Sequence, residues 1–322
     1  MERRDRGEGA DIEKRKEYQK PIYSYSSYIN KGELIDNIVR YALLGASVST
    51  VIAIIVISYS LLSESMNFFT QVSPYEFFFG TKWAAFFDDK SFGILPLLAG
   101  TMLTTVIALA FAIPIGIGAA IFLSEYAPVH IRKLVKPILE ILAGIPTVVY
   151  GYFALYFITP NLQALIPDLY TYNALAAGLA MGIMITPTIA SLSEDAFYSV
   201  PQSIKAAGYA LGARKSQVIL RIVIPYTLSA LSAVIILAMG RAIGETMIVT
   251  IAAGLRPSLT LNPFESVMTM TAAIAQAATG DSPRGTVEYT SLFAVGVYLF
   301  AVVAVLNMIS GYLRKRWEIK YE

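Results

Sequence analysis

The chain has 322 residues, 56% of them apolar, and a mean hydropathy of +0.58, the balance of an integral membrane protein rather than a soluble domain. Cysteine is absent and His130 is the sole histidine, which excludes disulfides, thiolate metal sites and haem attachment. The formal net charge of +2 says little by itself, and its distribution along the chain says more.

Residues 1–40 are charged and polar, with nine Lys/Arg among them, and are expected to be a tail that cannot fold alone. The stretch is too long and too charged for the n-region of a signal peptide, so no cleavage is expected. Residues 41–62 are charge-free and apolar, long enough to cross a bilayer as the first span. Residues 63–90 read as a polar and aromatic external loop. Residues 91–313 form the core, with five further spans. The second span is read over 97–123, with Pro114 inside it, and a short basic loop follows at 125–137. The third span is read over 138–158, with Gly144-Ile145-Pro146 inside it. The fourth is read over 173–191, with Pro187 near its end. An amphipathic cytoplasmic stretch follows at 194–225. The fifth span runs over 228–253 and the sixth over 289–313, and residues 314–322 make a basic tail. Residues 266–280 are too short and too rich in Ala, Thr and Gln to span, and are expected to be an outside helix or a re-entrant piece. The expectation is an all-α polytopic membrane protein with six transmembrane helices.

Six spans put both termini on one side. The N-terminal tail, the 125–137 loop, the 194–225 stretch and the C-terminal tail together hold 20 of the 25 Lys/Arg. The opposite side holds Lys82, Lys90, Arg256 and Arg284. By the positive-inside rule both termini are cytoplasmic, in a multi-pass protein of the cell membrane.

The remaining cation is Arg241, inside the fifth span with Glu245 four residues on, a spacing that puts both on one helix face. Ten Leu, Ile or Val in that span favour insertion by roughly 3 to 6 kcal/mol. The two charges oppose it by roughly 5 to 7 kcal/mol. The span therefore needs partner helices. Gly240 and Gly244 form a G-x-x-x-G suited to close helix approach. Arg241 lies roughly 20 Å along the span, near the midplane. Two readings stand. The pair is an intramembrane salt bridge that only packs helices, or Arg241 holds an anionic solute while Glu245 limits how tightly, with Thr246 and Thr250 adding hydroxyls.

The 194–225 stretch reads as two short helical patterns separated by Pro201. Leu211, Ile219 and Ile222 are expected on an apolar face, with Lys205, Arg214 and Lys215 exposed. An interfacial helix lying on the membrane and a docking surface for a cytoplasmic partner both fit. The stretch resembles the signature loop of ABC importer permeases, E-A-A-x-x-x-G followed by nine residues and I-x-L-P. Here it reads Ala206-Ala207-Gly208-Tyr209-Ala210-Leu211-Gly212, then Ile222-Val223-Ile224-Pro225. The family's glutamate falls on Ala206 and its second alanine on Gly208. That departure removes the salt bridge such a glutamate would make.

The motif from Gly240 to Val249, together with residues 92–101, 142–151 and 172–187, is similar to the C-type permease subunit (PstC) of phosphate-specific ABC importers. The resemblance covers roughly 90–320. It implies a type I ABC importer permease fold, paired with a sister A-type permease. Two copies of a cytoplasmic ATPase, which hold ATP and Mg, and an extracytoplasmic phosphate-binding protein complete the importer it implies. This chain is expected to bind no cofactor or metal and to be no enzyme, and it carries no phosphate loop of its own. The resemblance makes Arg241, Glu245 and Thr246 the substrate pathway. It makes Glu194, Asp195, Ala206, Ala207, Gly208, Gly212, Ile222 and Pro225 the ATPase-coupling loop. Gly240, Gly244, Pro146 and Pro187 are read as packing or hinge positions. The alternatives are a permease for sulfate or molybdate, and a stand-alone secondary transporter. The secondary transporter is opposed by the presence of only one deep carboxylate, Glu245. Glu140 is read as a snorkelling carboxylate, and Thr101, Thr104 and Thr105 as bonded to their own helix. His130 is read as a surface residue.

Overall fold

The computed structural model describes residues 25–87, 89–280 and 283–317, whose regular secondary structure is helical apart from one isolated bridge between Trp83 and Phe92. Two units are distinguished, 1–60 and 61–322. The described part of the first belongs to helix α1 (Tyr25–Phe69), 45 residues long. Its reach corrects the expected boundaries, because residues 25–40 and 63–69 are helical as well. No proline interrupts this stretch, and Asp36 precedes Arg40 at the favourable i, i+4 spacing. The tail over 1–24 and the basic end over 318–322 lie outside the described residues.

In the second unit a short helix, α2 (Pro74–Phe79), follows. Phe68, Phe77 and Phe92 meet edge to face, with centroids 5.4 to 5.5 Å apart, a favoured ring geometry. The expected external loop is therefore partly ordered by aromatic packing. Helix α3 (Leu95–Ile121) carries Pro96 in its first turn, where a missing N–H costs nothing. It continues through a π-turn at Phe122–Tyr126.

The expected basic loop at 125–137 is corrected. Arg132, Lys133 and Lys136 sit on a helix, α4 (Val129–Ala143). The expected third span is two pieces. After α4 come α5 (Thr147–Phe153), a π-turn at Ala154–Ile158 and α6 (Thr159–Gln163), bent by 87° from α4. Pro146 explains the break: it lacks an N–H and drives Ile145 away from helical geometry. The bend falls at the proline that the sequence singles out.

Helix α7 (Ala174–Tyr198) starts at Asn173, whose Oδ1 accepts from the Ala176 N–H at 2.7 Å. It runs unbroken through Pro187 and past the expected end at 191, so Pro187 interrupts no helix. Helices α3 and α7 make the most extensive pairing in the unit. A Cβ on Gly178 would fall 2.6 Å from Ile107 Cγ2, and one on Gly182 2.9 Å from Phe111 Cδ1. Small residues let the backbones approach there, as in other membrane helix pairs.

Beyond α7 lie α8 (Gln202–Ala210) and α9 (Lys215–Val218), then a π-turn at Ile219–Val223 and α10 (Ile224–Ile243). Helices α11 (Met247–Ala252), α12 (Met270–Thr279) and α13 (Val287–Trp317) complete the described chain. The expected fifth span is thus also broken, between Ile243 and Met247. Helix α12 is about 15 Å long, too short to span. Its Met270 N–H donates to Thr101 Oγ1 on α3 at 3.0 Å. Among the described residues five helices are long and apolar enough to cross a membrane, or six if the bent pair counts as one.

Candidate functional site

Arg241 occupies the last turn of α10. The helix ends at Ile243 with Gly244 as its cap, so Glu245 is not on the helix that carries Arg241. This corrects the expected shared face. The Arg241 guanidinium donates to Thr188 Oγ1 on α7 at 3.1 Å and to the Ala143 carbonyl, at the end of α4, at 3.3 Å. The terminal carbonyls of a helix lack intrahelical partners and carry its negative end, so Ala143 is a natural acceptor for a cation. Among the described residues Arg241 makes no ion pair. Its charge is held by a neutral hydroxyl and a neutral carbonyl.

Glu245 is 8% exposed and does something else. Its Oε1 accepts from the backbone N–H of Met247 at 3.0 Å and of Ile248 at 3.2 Å. The carboxylate therefore caps α11, where a negative charge complements the helix N-terminus. Its own carbonyl accepts from Thr271 Oγ1 at 2.7 Å, which ties the break to α12. Thr246 lies in the same break, half-buried, and its carbonyl accepts from Thr250 Oγ1 at 2.6 Å.

The glycines of the G-x-x-x-G do not pack helices within this chain. A Cβ on Gly240 would meet nothing within 4 Å, and one on Gly244 only its own turn. Close approach near the site falls on Gly151 of α5, where a Cβ would lie 3.0 Å from Ile251 Cδ1 of α11. Tyr150 of α5 donates its hydroxyl to the Leu142 carbonyl at 3.0 Å, beside the carbonyl that Arg241 uses. Thr188 and Ala143 are the partners that the residue pattern did not single out.

The second region is the stretch after α7. Helix α8 ends in a Schellman arrangement. The Gly212 N–H donates to the Tyr209 carbonyl at 2.9 Å and the Ala213 N–H to the Gly208 carbonyl at 3.2 Å. Gly212 has φ +81°, a region that side chains with a Cβ disfavour, which accounts for glycine at this position. Gly208 is buried, with Ile222 and Val218 over it. Ala206 and Ala207 are exposed, and Leu211 is 90% exposed.

Two expectations are corrected here. Leu211 is not on a buried apolar face, since it occupies the cap of α8 and projects from the turn. Lys205 is not exposed, since it pairs at 2.5 Å with Glu125, and both side chains are 7% exposed. That pair joins α8 to the π-turn that ends α3. Glu194 and Asp195 lie in the last turns of α7. Glu194 is 1% exposed and pairs with Arg132 and with Lys136 of α4, the latter at 3.0 Å, and Lys136 also pairs with Asp195. Arg132 lies 3.8 Å over the Tyr198 ring. The acidic pair thus anchors α4 to α7, while the surface that stays open is Ala206, Ala207 and the Tyr209–Leu211 turn. Ile222 is half-buried and Pro225 exposed.

Thr101 and Thr104 bond the carbonyls of their own helix at 2.8 and 2.9 Å, as expected, whereas the buried Thr105 hydroxyl has no partner among the described residues, and His130 and Glu140 are exposed. Among the described residues no group of three or more His, Asp and Glu is placed to hold a metal.

The comparisons with known proteins agree with this architecture. Residues 112–319 match the family model described as binding-protein-dependent transport system inner membrane component. The chain is 33% identical over 248 residues to the probable ABC transporter permease protein YqgH of Bacillus subtilis, covering 77% of this chain and 80% of that one. It is 34% identical to the phosphate transport system permease protein PstC of Mesorhizobium japonicum, covering 70% of this chain and 75% of that one. Among solved structures, a bacterial ABC transporter involved in import of the acidic polysaccharide alginate has a chain that superposes with a TM-score of 0.63 at 17% identity. The match covers 89% of this chain and all of that one, a likeness of fold. The chain belongs to the binding-protein-dependent transport system inner membrane component family, and within it to the PstC-type permeases.

Proposed function

We propose that this chain is the membrane-spanning subunit of an ATP-driven importer that moves inorganic phosphate into the cytoplasm. One observation carries the reading: the Arg241 guanidinium stands at a helix break with neutral partners only, and its neighbouring carboxylate is committed to capping α11. A guanidinium without a counter-ion is a site for an oxyanion, which it binds through a planar fork. The similarity to permeases named for phosphate transport supports phosphate as that oxyanion. Thr246 and Thr188 would supply the nearby hydroxyls. Glu245 would shape the site through the break it caps, instead of through a direct pair with Arg241.

The energy source would lie elsewhere. The open turn at Tyr209–Gly212 would dock a cytoplasmic ATPase that holds ATP and Mg, present in two copies. A sister A-type permease would complete the pathway, and an extracytoplasmic binding protein would deliver the anion. The distribution of Lys/Arg supports both termini on the cytoplasmic side. The Glu125–Lys205 pair would carry motion of α8 into α3, and the Glu194 cluster would carry motion of α4 into α7.

Substrate choice is tested by uptake of radiolabelled phosphate into proteoliposomes that hold the complete importer. Excess unlabelled sulfate or molybdate should leave uptake unchanged, and excess unlabelled phosphate should suppress it. Equal suppression by sulfate would move the assignment to another oxyanion.

A further inference from the structure

We infer that a cavity beyond the Arg241 site is a second oxyanion station, centred on Arg256, which receives the anion before it reaches Arg241. The inference rests on the phosphate reading above. The cavity has a volume of about 620 Å³, and its lining includes Tyr152, Tyr156, Tyr172, Thr250, Arg256 and Ser266. No carboxylate lines it.

Part of the donor set in this lining is unspent. Among the described residues the Arg256 side chain makes no hydrogen bond or ion pair, and neither does the hydroxyl of Tyr152, Tyr156 or Tyr172, all four residues being exposed at the mouth of the cavity. Thr250 and Ser266 give their protons to the Thr246 and Ala253 carbonyls at 2.6 and 3.0 Å. The lining thus brings together one guanidinium and three phenols without partners among the described residues, which is donor chemistry suited to a small oxyanion. Arg256 also differs from the other cations expected on the outer side. Lys82 pairs with Asp89 at 3.2 Å and Lys90 with Glu288, while Arg284, exposed like Arg256, lies outside this lining.

Its place relative to Arg241 follows from the two short helices that connect them. Helices α5 and α11 pack side by side at Gly151, Ile251 and Met247. Their starts follow Ala143, which accepts from Arg241, and Glu245, which closes the break after Arg241. Their far ends lead to Tyr152 and Tyr156 on one and to Arg256 on the other. The six-residue α11, which rises about 9 Å, lies between the two cations along the chain. Two weak stations in series let an ion enter and leave more readily than one strong one.

The test uses the complete importer in proteoliposomes, with the phosphate-loaded binding protein titrated from outside. Arg256→Gln should lower the maximal uptake rate about tenfold, the effect of losing one charge-assisted hydrogen bond. The half-saturating concentration of binding protein should not change. Arg256→Lys, which keeps the charge, should recover most of the loss. An unchanged maximal rate in Arg256→Gln overturns the inference. So does a raised half-saturation at unchanged maximal rate, which would make Arg256 a contact for the binding protein. No recovery in Arg256→Lys overturns the charge-based account. A wild-type complex that takes up no phosphate overturns the phosphate reading, and this inference with it.

Discussion

Arg241 donates to the Ala143 carbonyl at 3.3 Å across 98 residues of sequence, and so fastens the end of α10 to the end of α4 just before the 87° bend. On the proposed reading, an anion that takes the guanidinium would compete with that carbonyl, and occupancy of the site would be linked to the bend at Gly144-Ile145-Pro146. The second acceptor, Thr188 Oγ1, holds the guanidinium to α7. Thr188→Val keeps the shape and removes the acceptor. A hydrogen bond to a charged group contributes about 1.5 to 3 kcal/mol, so uptake should fall roughly tenfold or more while the protein still assembles. Uptake and gel-filtration profile, measured together, separate the two effects.

The Glu125–Lys205 pair gives a sharper stability prediction. Both side chains are 7% exposed. Lys205→Ala leaves the buried Glu125 carboxylate without a counter-charge, at a cost of about 3 to 5 kcal/mol. Replacing both by Leu removes the two desolvation penalties together and should restore much of the loss. Thermal unfolding in detergent should therefore rank the single variant well below the double variant. Equal midpoints would show that the pair is not buried in the assembled protein.

The turn after α8 makes a prediction about docking. Gly212 has φ +81°, and a residue with a Cβ there costs about 1 to 2 kcal/mol. Gly212→Val should weaken co-purification of the ATPase, and Gly212→Asn should be milder because Asn tolerates that region. Leu211 is 90% exposed, so Leu211→Asp should leave folding intact and abolish co-purification. Retained co-purification would place the docking surface elsewhere.

Glu245 separates two roles by substitution. A cap needs an acceptor, and a counter-charge needs a charge. Glu245→Gln keeps the carbonyl oxygen that Met247 and Ile248 use, so stability should hold. Glu245→Ala should cost about 0.5 to 2 kcal/mol. Unfolding midpoints of the two variants check this, and equal losses in both would favour the counter-charge.

The spans were legible because charge-free runs leave little choice in lipid. The first break in a span was signalled by Pro146. The second was not, since Gly244-Glu245-Thr246 contains no proline and apolar residues continue on both sides. What ends α10 there is a carboxylate turned onto the next helix's N–H groups, a local alternative invisible to periodicity. Thr188 lies 53 residues from Arg241 and looks like any hydroxyl in an apolar run. Lys205 looked solvent-exposed because its partner lies 80 residues away. Partners this distant are set by how the helices pack, and one sequence does not encode that in any local pattern.

The most direct measurement of the central claim is phosphate uptake by the reconstituted importer carrying Arg241→Gln, with assembly and ATP hydrolysis followed in the same preparation. The account predicts an assembled complex that hydrolyses ATP and loses uptake by at least about a hundredfold, since Gln removes the charge of the Arg241 site. An assembled Arg241→Gln complex with wild-type uptake would contradict it.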